Sequence, residues 1–158
     1  MSRATVESFS LPLAAPLDTA AGSVERREGF LFRAGDGCGE ATPLPGWTES
    51  LDRCRENLDA ASAAFERGGF GAALDAVETP AARHAVALAR DDAAARYQGM
   101  PLYRALGATE RVTGVPVNAT LGDAPAAETA EDAREAVEEG FTCLKVKVGV
   151  RPLEADVE

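Results

Sequence analysis

The sequence predicts an α+β domain followed by one strand–helix–strand unit of a parallel sheet. Three observations lead to this fold class: an N-terminal run of strand patterns separated by turn signals, a middle stretch with apolar residues at helical spacing, and a change near residue 110 to alternating strand and helix patterns. The length of 158 residues by itself suggests about one domain. This change of secondary-structure pattern divides the chain into residues 1–110 and 111–158.

The first element group is expected to be a three-stranded antiparallel meander. Strand patterns run from Ala4 to about Leu13 and from Val24 to Arg33, where Phe30 and Phe32 share one face. The segment LAAPLDTAAGS between them, rich in small residues and proline, predicts a loop. AGDG indicates a turn, and Cys38 to Thr42 gives the third short strand.

Helices are expected to follow the meander. The first begins at Thr48 as its N-cap and ends at the glycine pair 68–69, with a short second helix after it. Thr79 followed by proline is a strong start signal for the next helix, which runs to about Gln98. The segment PLYRALG adds one more helical turn.

The second part of the chain alternates strand and helix. Val115 to Thr120 is expected to be a short strand, Thr129 to cap a helix over about Ala130 to Glu139, and Phe141 to Val148 to be the next strand. Connections of this length through a helix join parallel strands. Residues 111–158 therefore predict one βαβ unit.

Charge and composition restrict the class of partner. The net charge is −10 and the pI about 4.6, which argues against nucleic acid and anionic membrane surfaces, since both bind basic patches. No window resembles a signal peptide or a membrane span. Cys38, Cys54 and Cys143 share no metal-ligand spacing, so reduced thiols are expected. We therefore expect a cytoplasmic protein.

Two other features have a structural interpretation. Gly35, Gly37 and Gly39 lack the GxGxxG spacing and no helix follows them, so a hairpin is favoured over a phosphate loop. His84, the only histidine, lies in an alanine-rich helix pattern with no further ligand cluster, and a structural role is favoured over metal binding.

The lysines are distributed unusually. Of the 16 basic residues, 14 are arginines, whereas Lys145 and Lys147 lie two apart in the segment GFTCLKVKVG. Side chains alternate along a strand, so the two lysines share one face, about 7 Å apart. The opposite face carries apolar residues suited to packing against helices, namely Leu144, Val146 and Val148.

In a barrel of parallel strands the lysine face points inward, with Lys147 nearer the C-terminal mouth, where the active sites of such barrels lie. Two ammonium groups inside a low-dielectric wall disfavour each other's charge, so a lysine placed there can act as a general base near neutral pH. The alternative is an exposed edge strand whose lysines prevent aggregation. The apolar residues on both faces and the absence of lysine elsewhere favour the catalytic interpretation.

Four segments in order resemble the enolase superfamily, in its muconate-lactonizing-enzyme-like branch. GCGEATPLPG resembles a segment of the capping domain, and PAARHAVALARDDAAARYQGMPLYRALG resembles its long alanine-rich helix, with Asp92 at the aspartate of the motif. VPVNATLG and GFTCLKVKVG resemble the first two barrel strands. The resemblance implies an α+β capping domain over residues 1–110, followed by the start of a truncated (β/α) barrel over residues 111–158.

The resemblance also implies a chemistry. Members of this superfamily remove a proton alpha to a carboxylate, and Mg²⁺ stabilises the resulting enediolate. Lys147 would abstract the proton, and Lys145 would tune it. Loops of the capping domain would close over a small carboxylate substrate, through Leu17, Ala21, Gly22, Ser23, Leu44 and Trp47. From the residues alone, a packing role is favoured for the tryptophan.

Within this branch, RREGFLFR and EATPLPGWTESL are most similar to archaeal o-succinylbenzoate synthases. That similarity implies that the full-length protein is a carbon–oxygen lyase of menaquinone biosynthesis, which dehydrates 2-succinyl-6-hydroxy-2,4-cyclohexadiene-1-carboxylate. Muconate cycloisomerases, dipeptide epimerases and N-succinylamino acid racemases share most of the framework and stay open as alternatives.

The sequence departs from the pattern of the superfamily in its length. A barrel of this type takes about 250 residues, and the family's three acidic Mg²⁺ ligands and its opposing lysine lie on later strands. We therefore expect neither a metal site nor activity in the 158 residues by themselves. A rival hypothesis is a non-catalytic module that associates with itself through exposed strands.

Overall fold

A computed structural model describes residues 3–19, 22–44, 46–122, 124–149, 152, 154 and 157, and only the backbone of residues 15 and 17–19. The chain divides into two compact units, Met1–Thr109 and Glu110–Glu158. The first holds a three-stranded antiparallel sheet with helices, and the second holds a parallel strand pair with a helix. The predicted fold class is therefore confirmed.

The sheet of the first unit has strands β1 (Ala4–Thr19), β2 (Gly22–Ala34) and β3 (Gly37–Ala41) in the order β1-β2-β3. The predicted loop LAAPLDTAAGS is wrong for its first part, because β1 continues to pair with β2 up to Thr19 opposite Gly22. Its prolines are tolerated because β1 is an edge strand, and the pairing register shifts between Pro12 and Leu17.

Three helices follow in the first unit: α1 (Leu51–Asp75), α2 (Pro80–Tyr97) and α3 (Leu102–Ala105). Helix α1 is interrupted at the glycine pair 68–69, whose backbone angles are non-helical. Its cap is Ser50, whose Oγ accepts the Arg53 N–H at 3.3 Å, and not Thr48 as predicted. The Thr48 hydroxyl is already engaged, since its oxygen accepts the Leu44 N–H at 2.8 Å.

The core of the first unit lies between the sheet and helices α1 and α2. Its largest fully buried side chains are Phe32 of β2, Leu58 and Cys54 of α1, and Val86 of α2. The face of α2 toward the sheet is made of buried alanines, which lets a strand approach the helix backbone closely: Ala81, Ala82, Ala85 and Ala89.

Strand β3 uses this close approach. A Cβ added to Gly37 would lie 1.9 Å from the Ala89 carbonyl oxygen, and one added to Gly39 would lie 1.9 Å from the Ala85 carbonyl oxygen. Gly35, with φ +57°, lies in the turn between β2 and β3. The glycine repeat thus serves a hairpin turn and helix–strand contact.

The second unit contains β4 (Ala119–Leu121), α4 (Ala126–Glu138) and β5 (Leu144–Val146), with β4 and β5 parallel. Each strand is shorter than predicted, and Val115 and Val117 before β4 are exposed. Helix α4 begins three residues before the predicted cap Thr129, whose hydroxyl instead donates to the Ala124 carbonyl at 3.0 Å. Each of these strands has one partner strand in a two-stranded sheet, and isolated strand pairs are marginally stable, which accounts for the short paired stretches.

A search of the described residues finds no helix with the length and apolar character needed to cross a membrane.

Candidate active site

The two lysines lie at the end of strand β5. Lys145 is inside the strand, in register with Thr120 of β4, and its side chain points to the face opposite Leu144 and Val146. Lys147 follows one residue after the last strand residue, at the carboxyl end of β5. This is the end of a parallel strand at which barrel enzymes place catalytic groups.

The surroundings of the lysines differ from the enclosed site that the sequence predicts. Lys145 is exposed and Lys147 is half-buried. Val146 is 48% exposed and Val148 is 66% exposed, although both were expected to pack against helices. Two short strands and one helix cannot cover both faces of β5. The described second unit therefore presents the lysines on an open surface.

A cavity of about 500 Å³ lies in the first unit between β2 and the segment that leads into α1. Ser23, one of the predicted substrate-binding residues, lines it. Pro43 and Gly46 line it from the opposite side, on either side of Leu44 in the chain. The structure thus brings the start of β2 and the start of this segment to one cavity.

The other predicted substrate-binding residues are located mainly by strand pairing and backbone hydrogen bonds. Leu17 pairs with Val24 through the backbone of the β1–β2 hairpin, and Gly22 pairs with Thr19. The Leu44 carbonyl accepts the N–H groups of Trp47 and Thr48, each at 3.0 Å. Trp47 is 74% exposed, so it does not pack into the core of the described first unit, and packing at a domain interface stays a prediction. Ala21 lies outside the described residues.

Charged side chains from β2 also line the cavity, together with Glu49. They are Glu25, Arg26, Arg27 and Glu28. The Arg27 guanidinium donates to the Thr42 carbonyl at 3.0 Å, and the Arg26 guanidinium donates to the Ser10 hydroxyl at 3.0 Å. These bonds hold Arg26 against β1 and Arg27 against the residue that follows β3. The cavity wall therefore carries side chains of both charge signs, with the two arginines in fixed positions.

Glu49 is a residue of this region to which sequence reasoning assigned no role. Its two carboxylate oxygens accept the N–H groups of Ala82 at 2.9 Å and Ala81 at 3.1 Å, at the start of α2. Thr79 occupies the N-cap position, but its side chain does not cap the helix. The bonds join residues 32 and 33 positions apart, and no local sequence signal indicates them.

Two titrating groups are perturbed at this helix junction. Burial acts to raise the pKa of Glu49, but the hydrogen bonds from its own N–H and from Ala82, the neighbouring Thr79 hydroxyl and the bond from Ala81 together outweigh burial and lower this pKa. Burial, aided by the charge of Glu49, raises the pKa of the Cys54 thiol to about 12. Glu49 is therefore charged and Cys54 a neutral thiol at physiological pH.

The resemblance implies that the acidic Mg²⁺ ligands belong to later barrel strands, and the described residues offer no cluster in their place. No group of three or more His, Cys, Asp or Glu side chains there is arranged to hold a metal ion. His84 of α2 lines a second cavity with Glu40 and Thr42. Of these residues only His84 and Glu40 are potential metal ligands of this kind, and two ligands do not form such a group.

Comparison with protein-family models gives no match. Among curated proteins, the L-Lys-D/L-Arg epimerase of Methylococcus capsulatus is 31% identical over 158 aligned positions, which cover 90% of this chain and 44% of that protein. The L-Lys-D/L-Arg epimerase of Desulforapulum autotrophicum is 38% identical over 81 positions, which cover 51% of this chain and 22% of that protein. The chain spans less than half the length of these relatives.

Solved structures of similar fold include a dipeptide epimerase from Enterococcus faecalis complexed with Mg and a dipeptide, at 25% identity and a TM-score of 0.84. The match covers 98% of this chain and 47% of that one. An o-succinylbenzoate synthase from Thermosynechococcus elongatus matches at 28% identity and a TM-score of 0.67, over 98% of this chain and 45% of that one.

These neighbours are members of the enolase superfamily, as the sequence resemblance predicted, and the chain has the fold of their N-terminal capping domain and the start of their barrel. The comparisons correct one prediction. Both curated relatives are epimerases, which are isomerases, so the expected carbon–oxygen lyase is wrong.

Proposed function

We propose that the whole protein is a Mg²⁺-dependent dipeptide epimerase of the enolase superfamily. The observation that carries the proposal is the 31% identity to an L-Lys-D/L-Arg epimerase over 90% of this chain, together with the two lysines at the carboxyl end of β5. The Mg-containing dipeptide epimerase from Enterococcus faecalis, which shares the fold at a TM-score of 0.84, supports it.

Epimerisation makes a specific demand on the protein. The proton on the α-carbon of one residue must leave from one face, and a proton must return to the opposite face. A lysine at the end of β5 suits the first or the last of these steps, because an ammonium group can lose and regain its proton whereas a guanidinium cannot. We assign this role to Lys147 and a supporting role to Lys145, two residues earlier within β5.

For the substrate we propose a dipeptide, and as its contacts the residues that the sequence suggests. Ser23 and Gly22 lie at the start of β2, where Ser23 lines the cavity described above. Leu44 and Trp47 belong to the segment on its other side, and the 74% exposed Trp47 ring is available for contact. Leu17 and Ala21 complete the proposed set.

The test is proton exchange at the α-carbon. The whole protein is incubated in D₂O with Mg²⁺ and single dipeptides, with L-Lys-L-Arg first in the panel, and the products are resolved by NMR. We expect a second diastereomer to appear with deuterium at the inverted carbon. Complete retention of configuration and of the α-proton across a panel of acidic, basic and apolar dipeptides contradicts the proposal.

A further inference from the structure

We infer that Glu49 is a positioning residue that clamps the segment of residues 46–50 to the first turn of α2 and so orients Trp47 for substrate binding. The inference rests on the proposed function, in which Trp47 contacts the substrate. It adds a residue that neither the sequence pattern nor the superfamily resemblance indicates.

The clamp consists of two hydrogen bonds from one carboxylate. The N–H groups of Ala81 and Ala82 donate to Glu49 at 3.1 and 2.9 Å. In most helices an N-cap side chain satisfies these donors, but here the Thr79 side chain does not. Glu49 therefore replaces a local cap, and it makes the start of α2 the attachment point of a distant segment.

The segment itself is short and is held at both ends. Upstream, the Leu44 N–H donates to the Thr48 hydroxyl at 2.8 Å, and the Trp47 N–H donates to the Leu44 carbonyl at 3.0 Å. Downstream, Ser50 caps α1 by accepting the Arg53 N–H at 3.3 Å. Glu49 lies between these anchors, and its hydrogen bonds to Ala81 and Ala82 link the segment to α2.

The Trp47 side chain depends on this clamp for its direction. With 74% of the residue exposed, little packing restrains the indole, so its placement depends on where the backbone of the segment holds the Cα–Cβ bond. A turn anchored at Leu44, Glu49 and Ser50 restricts that backbone. Loss of the Glu49 bonds releases the middle anchor while the two ends stay attached.

The first experiment measures the clamp on this chain, where Trp47 is the single tryptophan. Time-resolved fluorescence anisotropy is recorded for wild type, Glu49→Ala, Glu49→Gln and the control Glu78→Ala. Glu78 also precedes α2, but its carboxylate lies 3.4 Å from the Arg53 guanidinium on the surface. Removal of a cap of this kind should raise the population of the released segment by about fivefold.

We expect the rapid component of the Trp47 decay to grow in Glu49→Ala and to grow less in Glu49→Gln, which keeps one acceptor oxygen. Glu78→Ala should match wild type. An unchanged decay in Glu49→Gln and Glu49→Ala overturns the clamp. If Glu49→Ala does not fold by circular dichroism, the comparison of Glu49→Gln with Glu78→Ala decides the question.

The second experiment separates the clamp from the proposed reaction. In the whole enzyme, Glu49→Ala should raise KM for the dipeptide by up to about fivefold and Glu49→Gln by less, and both should leave kcat within about twofold, because Glu49 touches no reacting atom. Unchanged KM, or a fall in kcat alone, overturns the positioning role. A wild-type enzyme without epimerase activity refutes the proposed function instead, and the anisotropy result then still decides whether the clamp exists.

Discussion

The Asp92 carboxylate of α2 accepts the backbone N–H of Cys38 at 3.0 Å, across 54 residues of chain. Its side chain is 18% exposed, and the same oxygen lies 2.9 Å from the Arg96 guanidinium one turn later. The bond ties β3 to the helix at the point where Gly37 already contacts the α2 backbone. The aspartate of the superfamily motif therefore has a structural task in this chain.

Asp92→Ala should destabilise the first unit, because it leaves the Cys38 N–H without its acceptor. We expect a loss of about 1–3 kcal/mol in the free energy of unfolding, measured by urea titration with circular dichroism. Asp92→Asn should lose less, since its amide oxygen can still accept this bond. The neighbouring variant Asp91→Ala, which removes a surface contact to Arg90, should change stability by less than about 0.5 kcal/mol. Equal losses in Asp91→Ala and Asp92→Ala contradict the assignment.

The contact between β3 and α2 predicts a strong effect at Gly39. An added methyl would meet the Ala85 carbonyl at 1.9 Å, so strand and helix must separate in Gly39→Ala. We expect a loss of at least about 1–3 kcal/mol in the free energy of unfolding. The matched control is Gly71→Ala in α1, where an added Cβ meets nothing within 4 Å and the helix gains up to about 1 kcal/mol. A neutral Gly39→Ala would show that the two elements are not in contact.

Stability should depend on the charge of Glu49. Its pKa is lowered in the folded chain, so its stabilising contribution is complete above the unfolded pKa of about 4.3 and is lost as pH falls through the lower folded value. The difference in unfolding free energy between wild type and Glu49→Gln should therefore be constant from pH 6 to 7 and shrink at more acidic pH. A difference that grows on acidification would have the wrong sign.

The thiols of Cys54 and Cys143 should react with a thiol reagent at very different rates. Cys54 is fully buried, and its pKa of about 12 leaves almost no thiolate at pH 8, whereas Cys143 is exposed. A thiol reagent at pH 8 should label Cys143 within the mixing time and Cys54 only after unfolding. Mass spectrometry of the labelled peptides identifies the sites, and Cys143→Ser should remove the fast phase. Rapid labelling of Cys54 in the folded chain would show that α1 opens readily.

The elements that sequence reasoning predicted well are those with a local cause. Phe30 and Phe32 share one face of β2 and are buried, with the half-buried Leu31 between them, and the alanine-rich pattern after Thr79 forms α2 as far as Tyr97. The cap of α1 was misassigned because Thr48 and Ser50 are both suitable residue types. The Leu44 N–H donates to the Thr48 oxygen, which leaves Ser50 to cap α1.

The geometry of the candidate site depends on contacts between residues far apart in the sequence, which no local sequence pattern indicates. Glu49 reaches the first turn of α2 across 32 residues, and only the tertiary structure reveals that it replaces the Thr79 side chain there. The lysine pair could be placed at the end of β5 from its sequence, but its burial could not, because burial depends on what packs on the two faces of the strand. The reaction class was beyond the pattern as well, and the comparison with epimerases corrected the expected lyase.

Lys147 provides the decisive variant for the proposed function. Lys147→Arg keeps the positive charge at the end of β5 but cannot accept a proton, so the whole enzyme should lose at least about 10²–10⁴-fold in kcat/KM for epimerisation. The matched variant Lys145→Arg changes the same residue type two positions earlier, on a group that we assign no proton transfer, and should lose much less.

The isotope pattern distinguishes loss of one base from general damage. Inversion requires proton transfer on both faces of the α-carbon, and we assign Lys147 to one of them. Lys147→Arg should therefore abolish deuterium exchange from one diastereomer of the dipeptide much more strongly than from the other, whereas a misfolded enzyme loses both equally. We would measure exchange by NMR from each diastereomer separately, with Mg²⁺ saturating. Wild-type exchange from both diastereomers in Lys147→Arg would show that the base lies elsewhere and that the end of β5 has been assigned the wrong role.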